Sequence, residues 1–148
     1  MIVKIKKLHP DASVPEKTHS SDFCYDVKAV YCEEIAPNVY RYGLGFALQI
    51  DRRHVDEKVV SLSIDARPRS SIWKTGMVLA NSTGTIDIDY TGEIFLVFSH
   101  LFPNMPKYEP GDRIAQIKIG TTLPIDFEEA DTLEVTDRGD GKFGSTGK

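Results

Sequence analysis

The chain has 148 residues, is 41% hydrophobic and 27% charged, and carries a formal net charge of -4 at pH 7. That length fits one domain, and a domain of this size buries roughly 68–70% of its unfolded surface, so it needs no metal or disulfide staple. The acidic balance and the lack of any long basic block exclude a protein that holds nucleic acid non-specifically.

The first residues, MIVKIKKLHPDA, contain no apolar run of signal-peptide length, and no segment approaches the ~18 apolar residues of a membrane span. Cys24 and Cys32 are followed by no Cys-x-x-Cys or Cys/His spacing suited to zinc, and His9, His19, His54 and His100 are scattered. These six residues read as structural or surface positions. Two free thiols suit a reducing compartment, so a cytoplasmic location is expected.

Ser21–Val30 (SDFCYDVKAV) sets Asp26 between apolar neighbours. Leu44–Ile50 (LGFALQI) and Val59–Ile64 (VVSLSI) are short apolar or alternating runs bounded by Gly, Pro, Asp or Asn, and they predict strands. The charged stretch Ile50–Val59 (IDRRHVDEKV) between them reads as a solvated loop, with a partner surface as the alternative, and Phe102–Pro110 carries the same two readings. Ala66–Gly76 (ARPRSSIWKTG) predicts a short helix from Ser70 to Thr75, after Pro68 and before Gly76. Its free amides, the guanidinium of Arg69 and the hydroxyls of Ser70 and Ser71 suit phosphate; a capped helix with a surface arginine fits equally well. Trp73 is expected to be packed.

Asn81–Ile94 (NSTGTIDIDYTGEI) alternates so that Asp87 and Asp89 share one face and Ile86 and Ile88 the other. Two carboxylates so spaced suit acid–base work or a cation, although the stretch by itself reads more readily as the polar tip of a hairpin. Glu93–Phe98 (EIFLVF) and Arg113–Ile119 (RIAQIKI) predict further strands. In Tyr108–Ile119 a turn at Pro110-Gly111 precedes Asp112 and Arg113, which read as a pair, and Gln116, whose amide needs a partner if buried. The end, RGDGKFGSTGK, has Gly139, Gly141, Gly144 and Gly147 and one large apolar side chain, Phe143; composition alone makes it a disordered tail. Long amphipathic helical patterns are absent. The fold class is therefore all-β, a jelly-roll-like sandwich with one short helix.

Taken in order, five stretches resemble the five motifs of trimeric dUTPases over about residues 22 to 148. They are Tyr25-Asp26-Val27; Pro68-Arg69-Ser70; Gly84 through Asp87, Asp89, Tyr90 and Gly92-Glu93; Gly111-Asp112-Arg113-Ile114-Ala115-Gln116; and Arg138-Gly139 through Phe143-Gly144-Ser145-Thr146-Gly147. The resemblance implies a β-clip sandwich over 1–136 and a flexible glycine-rich arm over 137–148 that closes over a neighbouring subunit's site. It implies hydrolysis of dUTP to dUMP and pyrophosphate in a homotrimer with sites between subunits and Mg²⁺ on the triphosphate. Such an enzyme limits uracil in DNA and supplies dUMP for dTTP synthesis.

By the same resemblance Asp87 activates the water that attacks the α-phosphorus. Asn81, Thr85 and Ile86 lie in a hairpin that holds uracil through backbone groups, and Tyr90 packs under deoxyribose and leaves no room for a 2′-hydroxyl. Arg69, Ser70, Ser71 and Gln116 take the phosphates, and Asp26 holds Mg²⁺ through water. In the arm, Phe143 stacks on uracil, and Arg138, Gly144, Ser145 and Thr146 close on the ligand. Phe23-Cys24, Ser71-Ile72-Trp73 and Lys142 depart from the family pattern without removing a residue of direct chemical role. A dCTP deaminase of the same fold would need a carboxylate in the strand Ile94–Phe98, which has none. A non-catalytic nucleotide sensor is the other alternative.

Overall fold

The computed structural model describes residues 1–53, 55–56 and 60–141. Among them the short apolar runs become ten strands: β1 (Val3–Lys7), β2 (Tyr25–Lys28), β3 (Tyr31–Ala36), β4 (Val39–Gly43), β5 (Phe46–Ile50), β6 (Ser61–Pro68), β7 (Met77–Leu79), β8 (Gly84–Asp87), β9 (Phe95–His100) and β10 (Arg113–Thr122). β1 pairs with β5. The other strands form two four-stranded sheets, ordered β2-β10-β6-β8 and β3-β4-β9-β7. The pairings are antiparallel, and the chain crosses repeatedly between the two sheets, which is the jelly-roll-like sandwich expected.

Period-two alternation explains which side chains are inside. On β6, Ile64 and Ala66 point into the sandwich and are buried, while Ser63, Asp65 and Arg67 stand on the outer face. Tyr42, Leu44, Phe46, Phe98 and Ile114 fill the space between the sheets. Tyr42, Phe98 and Tyr108 pack edge to face at centroid distances of 5.5–6.4 Å. The Tyr42 hydroxyl donates to the Tyr108 carbonyl at 2.8 Å. Burial pushes the Tyr42 phenol far up, so it stays a donor at any ordinary pH.

Element boundaries differ from expectation for local reasons. β5 starts at Phe46 and not Leu44, because Gly45 takes a left-handed backbone (φ 70) that ends the preceding extended run. β6 runs on to Pro68, four residues past Ile64, since its alternation keeps matching β10. Val59, the expected start of that strand, lies outside the described residues. The expected helix is a single 3-10 segment, Ser70–Lys74, closed by Thr75. Trp73 is not packed: it is 71% exposed. After β10 the chain leaves the sandwich, and Leu123, Ile125, Phe127, Leu133 and Val135 are all exposed.

Tyr42→Phe removes one buried hydrogen bond and leaves a carbonyl without its donor. We expect a loss of about 1–2 kcal/mol, read as a lower urea midpoint with an unchanged slope; an unchanged midpoint would show the bond to be energetically idle.

Candidate functional site

Two parts of one sheet carry the predicted residues. The first is built around Asp26. β2 turns Val27 into the core and Asp26 to the outer face, yet Asp26 is only 8% exposed, because long side chains close over it. Its Oδ1 accepts from Arg69 Nε at 3.2 Å and from Gln116 Nε2 at 3.1 Å, and its Oδ2 accepts from Arg113 Nη1 at 3.0 Å. Arg113 Nη1 also donates to Thr18 Oγ1 at 3.0 Å. Arg69 Nη1 reaches Ser71 Oγ and the Arg113 carbonyl, both at 3.4 Å.

This cluster bears on three readings of the sequence. Arg69 is the residue before the 3-10 helix and makes no side-chain cap there; its guanidinium turns to Asp26 instead. Asp112 and Arg113 do not pair: Asp112 Oδ2 accepts from the Glu109 amide at 2.8 Å, and Arg113 reaches a residue 87 positions away. Gln116 finds the partner its half-buried amide requires. The pairing of β10 with β2 sets Arg113 beside Asp26, a place that the expected pair with Asp112 does not suggest.

The second part lies at β8, which among the described residues is an edge strand paired only with β6. The resemblance implied a hairpin here, but the chain turns at Asp87–Tyr90, closed by the Tyr90 amide donating to the Asp87 carbonyl at 3.0 Å, and proceeds to the other sheet. The outer edge of β8 therefore keeps backbone donors and acceptors unused by the sheet. Beside it opens a cavity of about 310 Å³ bordered by Asn81, Thr85, Ile86, Asp87 and Tyr90. The Tyr90 hydroxyl donates to the Glu93 carbonyl at 2.9 Å. A Cβ on Gly92 would stand 2.6 Å from that hydroxyl oxygen, so only glycine lets the ring lie where it does. Glu93 was missed by the sequence reading: its carboxylate accepts from the Gly45 amide at 3.0 Å and anchors the turn that fixes Tyr90.

Exposure alternates through this stretch as expected, with Ile86 and Ile88 half-buried and Asp87 and Asp89 exposed. The two carboxylates have different surroundings. Asp89 pairs with Arg52 at 3.3 Å, while Asp87 borders the cavity. Among the described residues no group of three or more His, Cys, Asp or Glu could hold a metal.

Asp87 and the arginine cluster share the outer face of the sheet but stand at opposite ends. Asp87 is opposite Ser63, Ser63 is opposite Gly120, and Gln116 lies four residues back along β10. With ordinary strand spacing and rise, Asp87 and Gln116 are roughly 16 Å apart. Arg138 sits in a short exposed turn, its Nε donating to the Gly141 carbonyl at 3.4 Å. Lys142, Phe143, Gly144, Ser145 and Thr146 lie outside the described residues.

A family model described as dUTPase matches residues 11–147. The deoxyuridine 5'-triphosphate nucleotidohydrolase of Helicobacter pylori is 35% identical over 151 residues, spanning 99% of this chain and 97% of its own length. That of Corynebacterium glutamicum is 36% identical, spanning 99% and 95%. Among solved structures, the Staphylococcus bacteriophage 80alpha dUTPase with dUpNHpp superposes with a TM-score of 0.78 at 21% identity and covers 99% of both chains. A dUTPase from phage phi11 of S. aureus, described with a structural Mg(II) ion, superposes with a TM-score of 0.70 at 18% identity over 91% of this chain and 100% of that one. At such identities the two phage structures speak for the fold.

Asp26→Ala would strand Arg69 and Arg113 without their shared partner. Both guanidiniums keep some solvent, so the expected loss is about 2–3 kcal/mol, below that for fully buried pairs. Chemical denaturation of Asp26→Ala beside Arg69→Ala and the double variant checks it. Additive losses would mean that the pair is not coupled.

Proposed function

The chain belongs to the dUTPase family, and from that membership we propose how its own residues carry out the hydrolysis of dUTP to dUMP and pyrophosphate. The observation that supports the reading most is the cavity at the free edge of β8, where Asn81, Thr85, Ile86, Asp87 and Tyr90 meet. Uracil presents alternating donors and acceptors, and the unused backbone edge of β8 offers the complement. Tyr90, held by Glu93 and made possible by Gly92, forms a rigid floor for deoxyribose and rejects a 2′-hydroxyl by contact. Asp87 is the general base: its carboxylate takes a proton from the water that attacks the α-phosphorus.

Arg69, Ser70, Ser71 and Gln116 bind the phosphates. Asp26 holds the donors of Arg69 and Gln116 in place before ligand arrives, so little ordering is left for the moment of binding. Magnesium, carried on the triphosphate, neutralises charge there. The residues present fit that arrangement, because three donors occupy Asp26 and leave one lone pair, on Oδ2, which suits a water and not direct ligation of an ion. The arm residues Arg138, Phe143, Gly144, Ser145 and Thr146 close over the bound nucleotide.

We propose a homotrimer with sites between subunits. The separation of roughly 16 Å between Asp87 and Gln116 supports it, since a water on the α-phosphorus and a phosphate chain on Gln116 need both ends of the site together. The exposed apolar series Leu123, Ile125, Phe127, Leu133 and Val135 supports it too, as a surface for a neighbouring copy. A cytoplasmic location suits the two free thiols, Cys24 and Cys32.

Pyrophosphate release from dUTP with Mg²⁺, run beside dTTP, dCTP and UTP, tests the reading. We expect turnover of dUTP alone, and a fall of about 100-fold or more in kcat for Asp87→Asn with the fold intact. Tight dUTP binding without turnover by the unaltered protein would leave a sensor. Removing residues 137–148 should leave the sandwich folded, because residues 123–140 are exposed, while kcat/KM for dUTP falls. Full activity without the arm would remove it from the site.

A further inference from the structure

One guanidinium on the outer face of the β2-β10-β6-β8 sheet has no part in the site described above. Arg67 stands on β6 directly opposite Gln116 of β10, and Gln116 stands opposite Asp26 of β2. The three make one row across the sheet. Opposed Cβ atoms in an antiparallel pair lie about 4.5–5.5 Å apart, so a group held by the Gln116 amide is within reach of the longer arginine.

The neighbours of Arg67 are already served. Arg69 and Arg113 both donate to Asp26. Asp65 accepts from Ser63 Oγ at 2.8 Å and pairs with Lys118 Nζ at 3.0 Å. Burial alone would raise the Asp65 carboxyl, but those two partners and the charge of Arg67 outweigh it and hold the group below the ordinary carboxylate range. Arg67 itself comes no nearer to Asp65 than 4.0 Å, beyond hydrogen-bond distance, and its side chain is 52% exposed. Around this row four cations, Arg67, Arg69, Arg113 and Lys118, face two carboxylates, Asp26 and Asp65, and leave two positive charges in excess. The chain as a whole is acidic, at -4. A local surplus of this sign beside Gln116 fits a polyanion.

We propose that Arg67 is a further substrate-positioning residue, whose guanidinium takes the terminal phosphates of the bound nucleoside triphosphate beside Gln116. The proposal rests on the dUTPase reading. A planar fork of N–H donors matches phosphate oxygens two at a time, which a lysine does less well. The contact lies beyond the α-phosphate, so it acts on the triphosphate and not on dUMP.

The test compares the unaltered chain with Arg67→Ala and Arg67→Lys by calorimetric titration with the imido analogue dUpNHpp and with dUMP, together with dUTP kinetics and solution mass. We expect Arg67→Ala to bind dUpNHpp roughly 10- to 100-fold more weakly, as for loss of a charge-assisted hydrogen bond. Its dUMP affinity and mass should be unchanged, its KM for dUTP should rise more than kcat falls, and Arg67→Lys should recover part of the loss. Unchanged dUpNHpp affinity, an equal loss for dUMP, or an altered mass would each overturn the assignment, the last by making Arg67 a contact between copies. If the unaltered chain binds dUpNHpp through Arg67 yet leaves dUTP intact, the enzymatic reading fails while Arg67 stands. If it hydrolyses dUTP and Arg67→Ala binds as tightly, only Arg67 fails.

Discussion

The carboxylate of Asp26 is the fixed point of this molecule. It lies on an edge strand, and it gathers Arg113 and Gln116 from β10 and Arg69 from the end of β6. A carboxylate covered this deeply is costly unless its charge is paired and its lone pairs are used. Three donors meet both demands. The same contacts fix two guanidinium planes that would otherwise sample many rotamers. In the proposed function structural and binding roles fall on the same bonds: the pairs that tie down the sheet edge are those proposed to prepare the phosphate site.

At the other end of the sheet Asp87, the proposed base, stands away from those cations. Asp89, two residues beyond Asp87, is already taken by Arg52. A carboxylate placed beside Arg69 would be drawn into hydrogen bonds as Asp26 is, leaving its oxygens occupied and not open to a water. In one protomer Asp87 stands instead at the margin of a cavity, across two strand spacings and four residues from Gln116. In the homotrimer proposed above, the phosphates of a substrate lying between the two ends would separate the proposed base from the arginines.

Much of this was legible in the chain, because period-two alternation in short punctuated runs translates directly into strands and into inner and outer faces. The inward Ile64 and Ala66, the outward Asp87 and the short helix after Pro68 all follow from local pattern. What local pattern misled on was pairing. Asp112 and Arg113 are neighbours and opposite in charge, yet the arginine binds a residue 87 positions away, since register and not sequence proximity decides what faces it. Trp73 was read as packed because large aromatics usually are, but a 3-10 turn of five residues on the surface gives it nothing to pack against. Glu93 carried no signal of its own; its anchor, the Gly45 amide, comes from 48 residues earlier.

Charge teaches the same lesson from another side. An acidic chain with no basic block is a poor candidate for a long polyanion such as nucleic acid, whose affinity grows with the number of phosphates neutralised. A short polyanion asks for less: a few cations at one point. Arg67, Arg69, Arg113 and Lys118 are dispersed over about a third of the sequence, and the antiparallel registry of β6 and β10 draws them into one patch. Asp26 and Asp65 stand among them and hold four like charges together that would otherwise repel, cancelling half of their sum. The remainder suits the nucleotide phosphates proposed to bind there, and because it is built from cross-strand pairs it exists only in the folded sheet.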